Sequence, residues 1–424
     1  MMRAIGVIRK SRRERVSREE FEELLRSAGY EILAIVEQVR EEHPRFNIGP
    51  GKLEEIKELV RELNPDKVVF ANRLTPSQAY NLWKELRVDI IDKWQLVLEI
   101  FEKRAHSKEA KLQVELANLQ YELPLVKEAI RRIKMGDRAG FKGMGEYQVH
   151  QYFKHIRYRM GKIKDELEKI RSEREIRRKK REEEGFVLVA LAGYTNAGKS
   201  TLLNALSGDY VEAKNQMFTT LSTTTRRFRV RGKMLLVTDT VGFIDGLPPF
   251  IVEAFHSTLE EIVKADIIVL VLDASEPWRE VRRKFFASLD VLRELKALDR
   301  PMIIALNKID LVSEEDVQEK ELLLRELLDG RTNAIGIAKI SAKHKKLEEL
   351  YELIDRALTK LPKFQTFEIK VKDPSKLGKI LAMLHSMGEV LEVSYGNETR
   401  IRAYIQTGLI RELNKLGVKL RRIN

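Results

Sequence analysis

The chain has 424 residues, with 78 Lys and Arg against 65 Asp and Glu and a formal net charge of +13. It contains no cysteine, which excludes disulfides and thiolate chemistry. No apolar run is long enough to span a bilayer and neither terminus has a signal-peptide pattern, so we expect a cytoplasmic protein without a membrane span. We also expect a monomer. The positive charge favours a polyanionic partner, nucleic acid above all, although a solvated Lys-rich surface explains it equally well.

Residues 1–97 alternate short apolar strands with amphipathic helices. The expected strands are 4–8, 32–38, 67–71 and 88–91, and the expected helices between them are 18–28, 53–63 and 76–87. Alternation at this length predicts a small parallel sheet with helices on its faces. The turn Gly49-Pro-Gly51 matches no dinucleotide-binding fingerprint, and it favours an ordinary helix entry over an anion site.

Between residues 98 and 184 the hydrophobic pattern becomes that of paired helices. Apolar residues step 4-3-4-3-4-3 over 112–133 and again over 149–170, on either side of a glycine-rich loop. Two matched heptad seams predict an antiparallel helical hairpin, followed by a charged helical linker at 171–184. Cations near its tip suit RNA phosphates, with a solvated hairpin end as the alternative. These are Arg131, Arg132, Lys134, Arg138, Lys142, Lys154, Arg157 and Arg159.

The segment Gly193-Tyr-Thr-Asn-Ala-Gly-Lys-Ser200 follows an apolar strand and precedes a helix, and it reads G-x-x-x-x-G-K-[ST]. Glycines let the backbone turn its N–H groups towards phosphate oxygens, and the helix N-terminus adds a partial positive charge. Lys199 is expected to reach the β- and γ-phosphates. Ser200 is expected to hold Mg²⁺.

Two further motifs follow the ends of later strands. Asp239-Thr-Val-Gly242 reads D-x-x-G, in which the aspartate holds Mg²⁺ through water and the glycine N–H meets the γ-phosphate. Asn307-Lys-Ile-Asp310 reads N-K-x-D, in which the Asp310 carboxylate accepts from guanine N1–H and N2–H₂, donors that adenine does not offer together. Ser341-Ala-Lys343 supplies a backbone N–H to guanine O6. The order of these motifs predicts a doubly wound sheet with the site at one edge.

A threonine between the phosphate loop and Asp239 completes the predicted metal site. We choose Thr220 within 218–227, with Thr219 as the second choice. The predicted catalytic residues are Lys199, Thr220 and Gly242, and the predicted metal ligands are Ser200, Thr220 and Asp239. The predicted nucleotide contacts are Gly193, Tyr194, Thr195, Asn196, Ala197, Gly198, Lys199, Ser200, Thr201, Phe218, Thr220, Asp239, Gly242, Asn307, Lys308, Asp310, Ser341, Ala342 and Lys343.

Phe243 follows D-x-x-G, where many GTPases place a water-orienting glutamine. An aromatic ring cannot polarise water, so we expect slow intrinsic hydrolysis that a partner stimulates. Asn196 matches the asparagine of potassium-activated GTPases, which makes K⁺ a candidate cofactor, with a loop-stabilising role as the alternative. Arg226 and Arg227 are candidate arginine fingers in cis, but surface-strand cations are favoured.

Residues 363–424 read β-α-β-β-α-β, which is the ferredoxin-like pattern. Alternation along these strands places six cations and one aromatic on the sheet face opposite the helices. They are Lys370, Lys372, Arg400, Arg402, Tyr404, Lys419 and Arg421. This composition favours RNA contact, with a solvated sheet surface as the alternative.

The motifs resemble those of the HflX family, in the Obg–HflX class of translational GTPases. The similar strings are G-Y-T-N-A-G-K-S at 193–200, F-T-T-L and T-T-R within 218–227, D-T-V-G-F at 239–243, and segments at 48–56, 111–117 and 143–148. The resemblance runs to about residue 362, so the chain looks like an archaeal-like member with a C-terminal extension. The predicted domains are therefore 1–97, 98–184, a P-loop GTPase domain at 185–362, and 363–424.

This resemblance implies GTP and GDP as ligands, Mg²⁺ as cofactor, and hydrolysis of GTP to GDP and phosphate. It also implies binding to the large ribosomal subunit and its rRNA, with a role in ribosome splitting, rescue or assembly. Some members bind ATP through the N-terminal region, and nothing in residues 1–91 demonstrates such a site. A nucleotide-dependent RNA-binding switch and an RNA-modification partner are the alternative functions.

Overall fold

The structure is a computed structural model that describes residues 2–11, 16–136, 146–183, 186–208, 224–231, 233–244, 248–328, 333–361, 363–396 and 398–423. The strands are β1 (Met2–Lys10), β2 (Tyr30–Val39), β3 (Lys67–Phe70), β4 (Asp89–Asp92), β5 (Leu188–Gly193), β6 (Thr224–Val230), β7 (Lys233–Asp239), β8 (Ile267–Asp273), β9 (Met302–Asn307), β10 (Ala334–Lys339), β11 (Phe364–Val371), β12 (Gly388–Ser394), β13 (Thr399–Gln406) and β14 (Lys419–Ile423). The α-helices are α1 (Arg18–Ser27), α2 (Pro50–Leu63), α3 (Pro76–Leu86), α4 (Lys93–Arg104), α5 (Lys108–Lys134), α6 (Glu146–Glu183), α7 (Lys199–Ser207), α8 (Pro249–Ala254), α9 (His256–Lys264), α10 (Trp278–Glu294), α11 (Glu314–Leu328), α12 (Glu348–Leu358), α13 (Leu377–Met387) and α14 (Leu409–Lys415).

These elements form two compact units, described one at a time below. Among the described residues, the first unit comprises 2–170 together with Pro248–Phe255, and the second comprises the remainder. Across the described ranges, none of the helices combines the length and apolar character needed to cross a bilayer.

The first unit contains a four-stranded parallel sheet in the order β2-β1-β3-β4. Polar side chains begin its helices: Ser17 caps α1, Thr75 and Gln78 form a capping box on α3, and Asp92 caps α4. Each such cap satisfies N–H groups that have no partner within the helix. The predicted N-terminal α/β fold is confirmed. Gly49 caps α2, and its N–H donates to Gln38 Oε1 at 2.9 Å, which agrees with an ordinary helix entry.

Helices α5 and α6 bury the predicted heptad seam. Val126 and Ala129 of α5 are buried in one cluster with Val149 and Ile156 of α6. Helix α4, which precedes the seam, was not foreseen as a separate element. Its buried residues Trp94, Val97, Leu98 and Phe101 recur at helical spacing, so the pattern contains the signal, but the prediction assigned no element between the last strand and the seam.

Several cations of the hairpin already have carboxylate partners inside the first unit. Arg131 and Arg132 both donate to Glu128, at 2.8 and 2.9 Å. Arg159 donates to Glu115 at 2.6 and 2.8 Å. These pairs reduce the positive charge that the hairpin offers to a polyanion. The candidate cations Arg138 and Lys142 lie outside the described residues.

The second unit contains a six-stranded sheet in the order β10-β9-β8-β5-β7-β6, parallel except for β6. Strands β5, β8 and β9 are wholly buried, which explains their continuous apolar runs. Parallel strands bring their carboxyl ends to one edge of the sheet, and β5, β7 and β9 end there at Gly193, Asp239 and Asn307. The predicted GTPase-type α/β fold is confirmed.

A four-stranded antiparallel sheet completes the second unit, in the order β12-β13-β11-β14. Its apolar face packs with α13 and α14 around Ile369, Ile401 and Leu413. This order and connectivity confirm the predicted ferredoxin-like domain. The expected availability of Tyr404 on the open face is wrong, because its ring stacks on Phe364 and its hydroxyl donates to a backbone carbonyl of α12.

The antiparallel sheet is fixed to the beginning of β7. The Lys233 ammonium, almost wholly buried, lies 2.6 Å from the Asp355 carboxylate and 3.3 Å from that of Glu389. Gln406 is buried, and its amide donates to Met234 O at 3.0 Å. Breaking a buried pair of this kind by removing one partner is costly, because the other charge is left without compensation.

Candidate guanine-nucleotide site

The phosphate-loop segment 193–198 connects β5 to α7 and requires two of its glycines. Gly193 has φ of 136°, and a Cβ there would lie 2.4 Å from Val271 O. Gly198 has φ of 93°, and a Cβ there would lie 2.3 Å from Asn307 Nδ2. Left-handed backbone and close packing together exclude a larger residue at either position. The sequence motif therefore has a steric basis in this fold.

Lys199 is buried at the first position of α7, and its ammonium donates to Gly193 O at 3.0 Å and Tyr194 O at 2.8 Å. Burial lowers the pKa of the Lys199 ammonium to about 8, and the nearby Asp239 carboxylate only partly opposes this. Thr195 Oγ1 is buried without a hydrogen-bond partner among the described residues. A phosphate group placed here would supply acceptors to both side chains.

Ser200 and Asp239 meet where the phosphate loop faces the end of β7. Ser200 Oγ donates to Asp239 Oδ2 at 2.7 Å, and Thr240 N donates to Asp239 Oδ1 at 2.9 Å. Within the described part of the chain, no group of three or more His, Asp or Glu could hold a metal ion by itself. One hydroxyl and one carboxylate fit Mg²⁺, which takes few protein ligands and completes its shell with water and phosphate oxygens.

The segment after D-x-x-G is hydrogen-bonded to the phosphate loop. Phe243 N donates to Gly193 O at 3.0 Å, and Thr195 N donates to Phe243 O at 2.9 Å. A Cβ on Gly242 would lie 2.9 Å from Thr195 Cγ2 and 3.1 Å from Lys199 Nζ. We call these two hydrogen bonds the Phe243 bridge. Gly242 thus lies beside the groups that are expected to meet phosphates, and the Phe243 ring is buried.

Asn307, at the end of β9, connects two loops of the site. Its amide nitrogen donates to Ala197 O at 2.9 Å, and its amide oxygen accepts from Ala342 N at 3.0 Å. The amide nitrogen and the amide oxygen of Asn307 therefore hold the phosphate loop and the 341–343 loop in fixed positions relative to each other. Its contribution to a nucleotide site is positional in this geometry.

Asp310 lies at the far end of the same motif. Ser341 Oγ donates to Asp310 Oδ1 at 2.6 Å, and His344 Nε2 lies 3.5 Å from Oδ2. Burial alone would raise the pKa of the Asp310 carboxyl, but the Ser341 hydrogen bond, its own backbone N–H and the nearby His344 and Lys343 lower it overall. The carboxylate is ionised and oriented as an acceptor. Nothing in the motif spacing pointed to His344.

The remaining predicted residues are placed as follows. Asn196 has a left-handed φ of 63°, and Thr201 lies in the first turn of α7. Lys308 Nζ lies 2.6 Å from Asp273 Oδ2, which attaches the side chain to the end of β8. Thr220 and Phe218, with Thr219, lie outside the described residues.

Two features near the site refine the sequence reading. Arg226 donates to Asn204 and Ser207 of α7, at 3.3 and 3.2 Å, as expected of a strand-surface cation. The Tyr194 ring lies between cations of α10, with Arg283 Cζ at 5.4 Å and Lys284 Nζ at 4.9 Å from its centroid. These cation–π contacts attach α10 to the phosphate loop, and no motif signals them.

Family models match three consecutive parts of the chain: residues 15–102 as GTP-binding GTPase N-terminal, 104–181 as GTP-binding GTPase Middle Region, and 188–308 as 50S ribosome-binding GTPase. Together with the sheet edge described above, they define a P-loop GTPase. The chain is 72% identical over 424 residues to a GTPase HflX of Thermococcus kodakarensis, covering 100% of this chain and 96% of that one. The chain belongs to the HflX family and is a GTPase.

Two further similarities agree with this assignment. A GTPase HflX of Methanocaldococcus jannaschii is 46% identical over 322 residues, which is 76% of this chain and 78% of that one. The crystal structure of SsGBP in complex with GDP matches with a TM-score of 0.50 at 29% identity, covering 85% of this chain and 99% of that chain. The family implies binding of GTP and GDP, typically with Mg²⁺.

Proposed function

We propose that this GTPase associates with the large ribosomal subunit, that the subunit stimulates its hydrolysis of GTP, and that the cycle serves ribosome splitting, rescue or assembly. The observation that carries the proposal is the match of residues 188–308 to the 50S ribosome-binding GTPase family. The buried Phe243 supports the need for stimulation, because it supplies no group that could orient the attacking water.

The site residues divide the work between phosphate, metal and base. Lys199 would exchange its two loop carbonyls for phosphate oxygens, and the Gly242 N–H would meet the γ-phosphate. Ser200 and Asp239 would hold Mg²⁺, with the Thr220 hydroxyl joining when the γ-phosphate is present. Mg²⁺ there would neutralise charge on the phosphates. Guanine would be read by the ionised carboxylate of Asp310, because an acceptor that the bound base covers and adenine leaves unpaired is costly.

Base and loop contacts complete the proposed site. A backbone N–H of the 341–343 loop, which the hydrogen bond from Ala342 N to Asn307 holds in place, would donate to guanine O6, and Ser341, Ala342 and Lys343 would line that edge of the base. The Lys308 stem would cover the base. Backbone N–H groups of the phosphate loop and of Thr201 would surround the phosphates.

GTP loading would require the Phe243 bridge to open. In the structure Gly242 lies within contact distance of the groups that receive phosphate, so the nucleotide and the bridge compete for the same loop. Each of the two hydrogen bonds contributes about 0.5–1.5 kcal/mol net, so closing is favoured by a few kcal/mol at most. A competition of this size is readily reversed by the binding energy of a nucleotide.

Asn196 supports K⁺ as an additional cofactor. Its left-handed backbone turns the loop sharply at the position that matches the potassium-activated GTPases. A K⁺ ion there would supply positive charge in the absence of an arginine finger. Turnover in KCl well above that in NaCl is expected, and equal turnover in the two salts would remove K⁺ from the mechanism.

Co-sedimentation with purified ribosomal subunits tests the main proposal. The full chain is mixed with large or small subunits in GDP, in a non-hydrolysable GTP analogue, or without nucleotide. We expect binding to the large subunit that is strongest with the analogue, and GTP turnover that rises on its addition. Asp310→Asn is the matched control, since it removes guanine recognition and should abolish the nucleotide dependence. Equal sedimentation with and without subunits would refute the proposal, and RNA binding without subunit preference would favour a general RNA-binding switch.

A further inference from the structure

The open face of the C-terminal sheet carries a row of positive side chains that face one another across three strands. Arg400 of β13 lies directly opposite Lys370 of β11, and Lys370 lies directly opposite Lys419 of β14. Ser394 of β12 continues the row at its end without adding a charge. We call Arg400, Lys370 and Lys419 the cationic row. It is about 10 Å long, because neighbouring strands lie about 4.8 Å apart.

The cationic row opposes the stability of the sheet. Like charges placed directly opposite one another on antiparallel strands are destabilising. Within the described residues, none of the three has a carboxylate oxygen within 4.0 Å, whereas cations elsewhere on the chain are commonly paired. Arg400 and Lys419 are exposed and Lys370 is half-buried. A surface kept only for solubility has no need to concentrate repulsion in this way.

The positions on either side of the row are neutralised. On one side the ladder reads Glu392, Arg402, Glu368 and Arg421, so that charges alternate across the four strands. On the other side Lys372 pairs with Glu398 at 3.5 Å. The uncompensated charge is therefore a line one residue wide.

Shape and composition agree with a ligand on this face. A concavity of about 730 Å³ lies beside the row, and its lining includes Arg400 and Ser394 together with the alternating Glu392, Arg402, Glu368 and Arg421. Residues 363–424 contain twelve Lys and Arg against six Asp and Glu, a formal net charge of +6 out of +13 for the chain. About a seventh of the sequence thus carries almost half of the excess charge. By contrast, three hairpin cations of the first unit are consumed in ion pairs.

We infer that the cationic row binds the phosphate backbone of RNA. A strand of phosphates is a line of negative charge that matches a line of cations, and guanidinium groups donate to phosphate in pairs. A broad acidic protein surface would find neutralised positions on either side of the row, so its charges would be matched only along one line. The inference stands apart from the ribosomal partner proposed above, because it concerns one face and any exposed RNA backbone.

The test compares two variants of the full chain that lose the same charge. Arg400→Gln with Lys419→Gln removes two cations of the row. Lys379→Gln with Arg411→Gln, the control, removes two exposed cations from α13 and α14 on the other side of the sheet. Binding of a fluorescein-labelled 20-nucleotide oligouridylate is measured by anisotropy from 0.05 to 0.5 M KCl without guanine nucleotide.

The row variant should lose about 1.4 from the slope of log affinity against log salt, since each phosphate contact on a single strand contributes about 0.7. If the variant and the wild type bind equally at 1 M salt, this difference in slope corresponds to about a 25-fold lower affinity of the variant at 0.1 M salt. The control variant should keep the wild-type slope. Equal slopes for the two variants would overturn the inference.

Three more measurements separate RNA recognition from folding and from other polyanions. Removing repulsion should leave the thermal unfolding midpoint at low salt unchanged or raised, and a lowered midpoint would assign the row a structural role instead. The charge-preserving Arg400→Lys with Lys419→Arg should retain most of the affinity for RNA. Polyglutamate of matched length should compete poorly, and competition equal to that of unlabelled oligouridylate would exclude RNA as the specific occupant. These measurements contain no ribosome, so a failure to bind oligouridylate through the row would not refute the proposed association with the large subunit. Failure of the large-subunit proposal would likewise not refute RNA binding by the row.

Discussion

The buried Lys199 predicts that nucleotide binding takes up a proton at alkaline pH. Its pKa is lowered to about 8 by burial against an ordinary value of 10.5, a difference that corresponds to about 3 kcal/mol in favour of the neutral amine. Phosphate oxygens favour the charged ammonium, so the bound complex should restore a pKa of at least the ordinary value. The free protein therefore has to protonate Lys199 before or while it binds GDP or GTP.

The expected loss of GDP affinity at alkaline pH follows from the pKa values of Lys199 in the free and the bound protein. Between pH 7.5 and 9 the protonated fraction of free Lys199 falls from about three quarters to about one tenth, so GDP affinity should fall about eightfold through this group. At pH 9, binding should take up about 0.9 proton. The same linkage gives the sign for stability. The unfolded chain binds more protons at this residue between pH 8 and 10.5, so the nucleotide-free protein gains stability from it as pH rises through that window.

Isothermal titration of GDP in two buffers of different ionisation enthalpy measures the affinity and the proton uptake together. Lys199→Arg is the matched variant, because a guanidinium keeps the charge and does not titrate in this range. The pH dependence of GDP affinity measured with this variant is the part that arises from the ligand itself. The eightfold fall should be the difference between wild type and variant. Identical pH profiles for the two would refute the assignment of a lowered pKa to Lys199.

Three further outcomes follow from the same geometry. Asp310→Asn replaces an acceptor with an amide donor, so GTP affinity should fall by at least about 100-fold. Xanthine nucleotides offer an acceptor at that position, so their affinity should rise. An unchanged preference for guanine in a competition assay would contradict the base contact. Gly198→Ala forces a Cβ to within 2.3 Å of the Asn307 amide at positive φ, so nucleotide binding should be lost with the C-terminal domain still folded, and full binding by the variant would show that the loop adapts. Tyr404→Phe removes the hydroxyl that donates to Leu358 O at 3.0 Å and should lower the unfolding free energy by about 1 kcal/mol without changing RNA affinity; a parallel loss of RNA affinity would place the tyrosine on the RNA face after all.

The sequence predicts the sheets and their edge well because these depend on local periodicity and on motifs with steric causes. Gly193 and Gly198 are needed by the backbone itself, so their spacing is readable without coordinates. Alternation along β11 and β13 separates an apolar face from a charged one, and the structure keeps that separation. The heptad seam of the hairpin is equally local. Such features require no knowledge of what lies opposite.

Features that depend on residues distant in sequence were missed. The Phe243 bridge joins two motifs through backbone groups, which carry no side-chain signal. Tyr404 alternates correctly onto the charged face, but at that end of the strand the face is covered by α12 and the start of β7. Periodicity predicts the face of the sheet to which a side chain points, but not what packs against that face. The prediction that Tyr404 is available on the open face was therefore wrong. The same limit applies to hairpin cations such as Arg159, whose partner is 44 positions away.

Strand β7 connects the two sites inferred for the second unit. Its first residue, Lys233, holds Asp355 of the GTPase domain and Glu389 of the C-terminal sheet, and its last residue is Asp239 of the proposed metal site. All seven residues of β7 pair with β6, and the last four, Leu236–Asp239, also pair with β5, so the strand is held on both sides at its Asp239 end. We therefore expect β7 to link the C-terminal sheet to the aspartate. Among the described residues, two backbone hydrogen bonds join Phe243 to the phosphate loop. Because the two hydrogen bonds of the Phe243 bridge join the segment after Asp239 to the phosphate loop, we expect their opening to respond both to nucleotide in the loop and to RNA on the sheet.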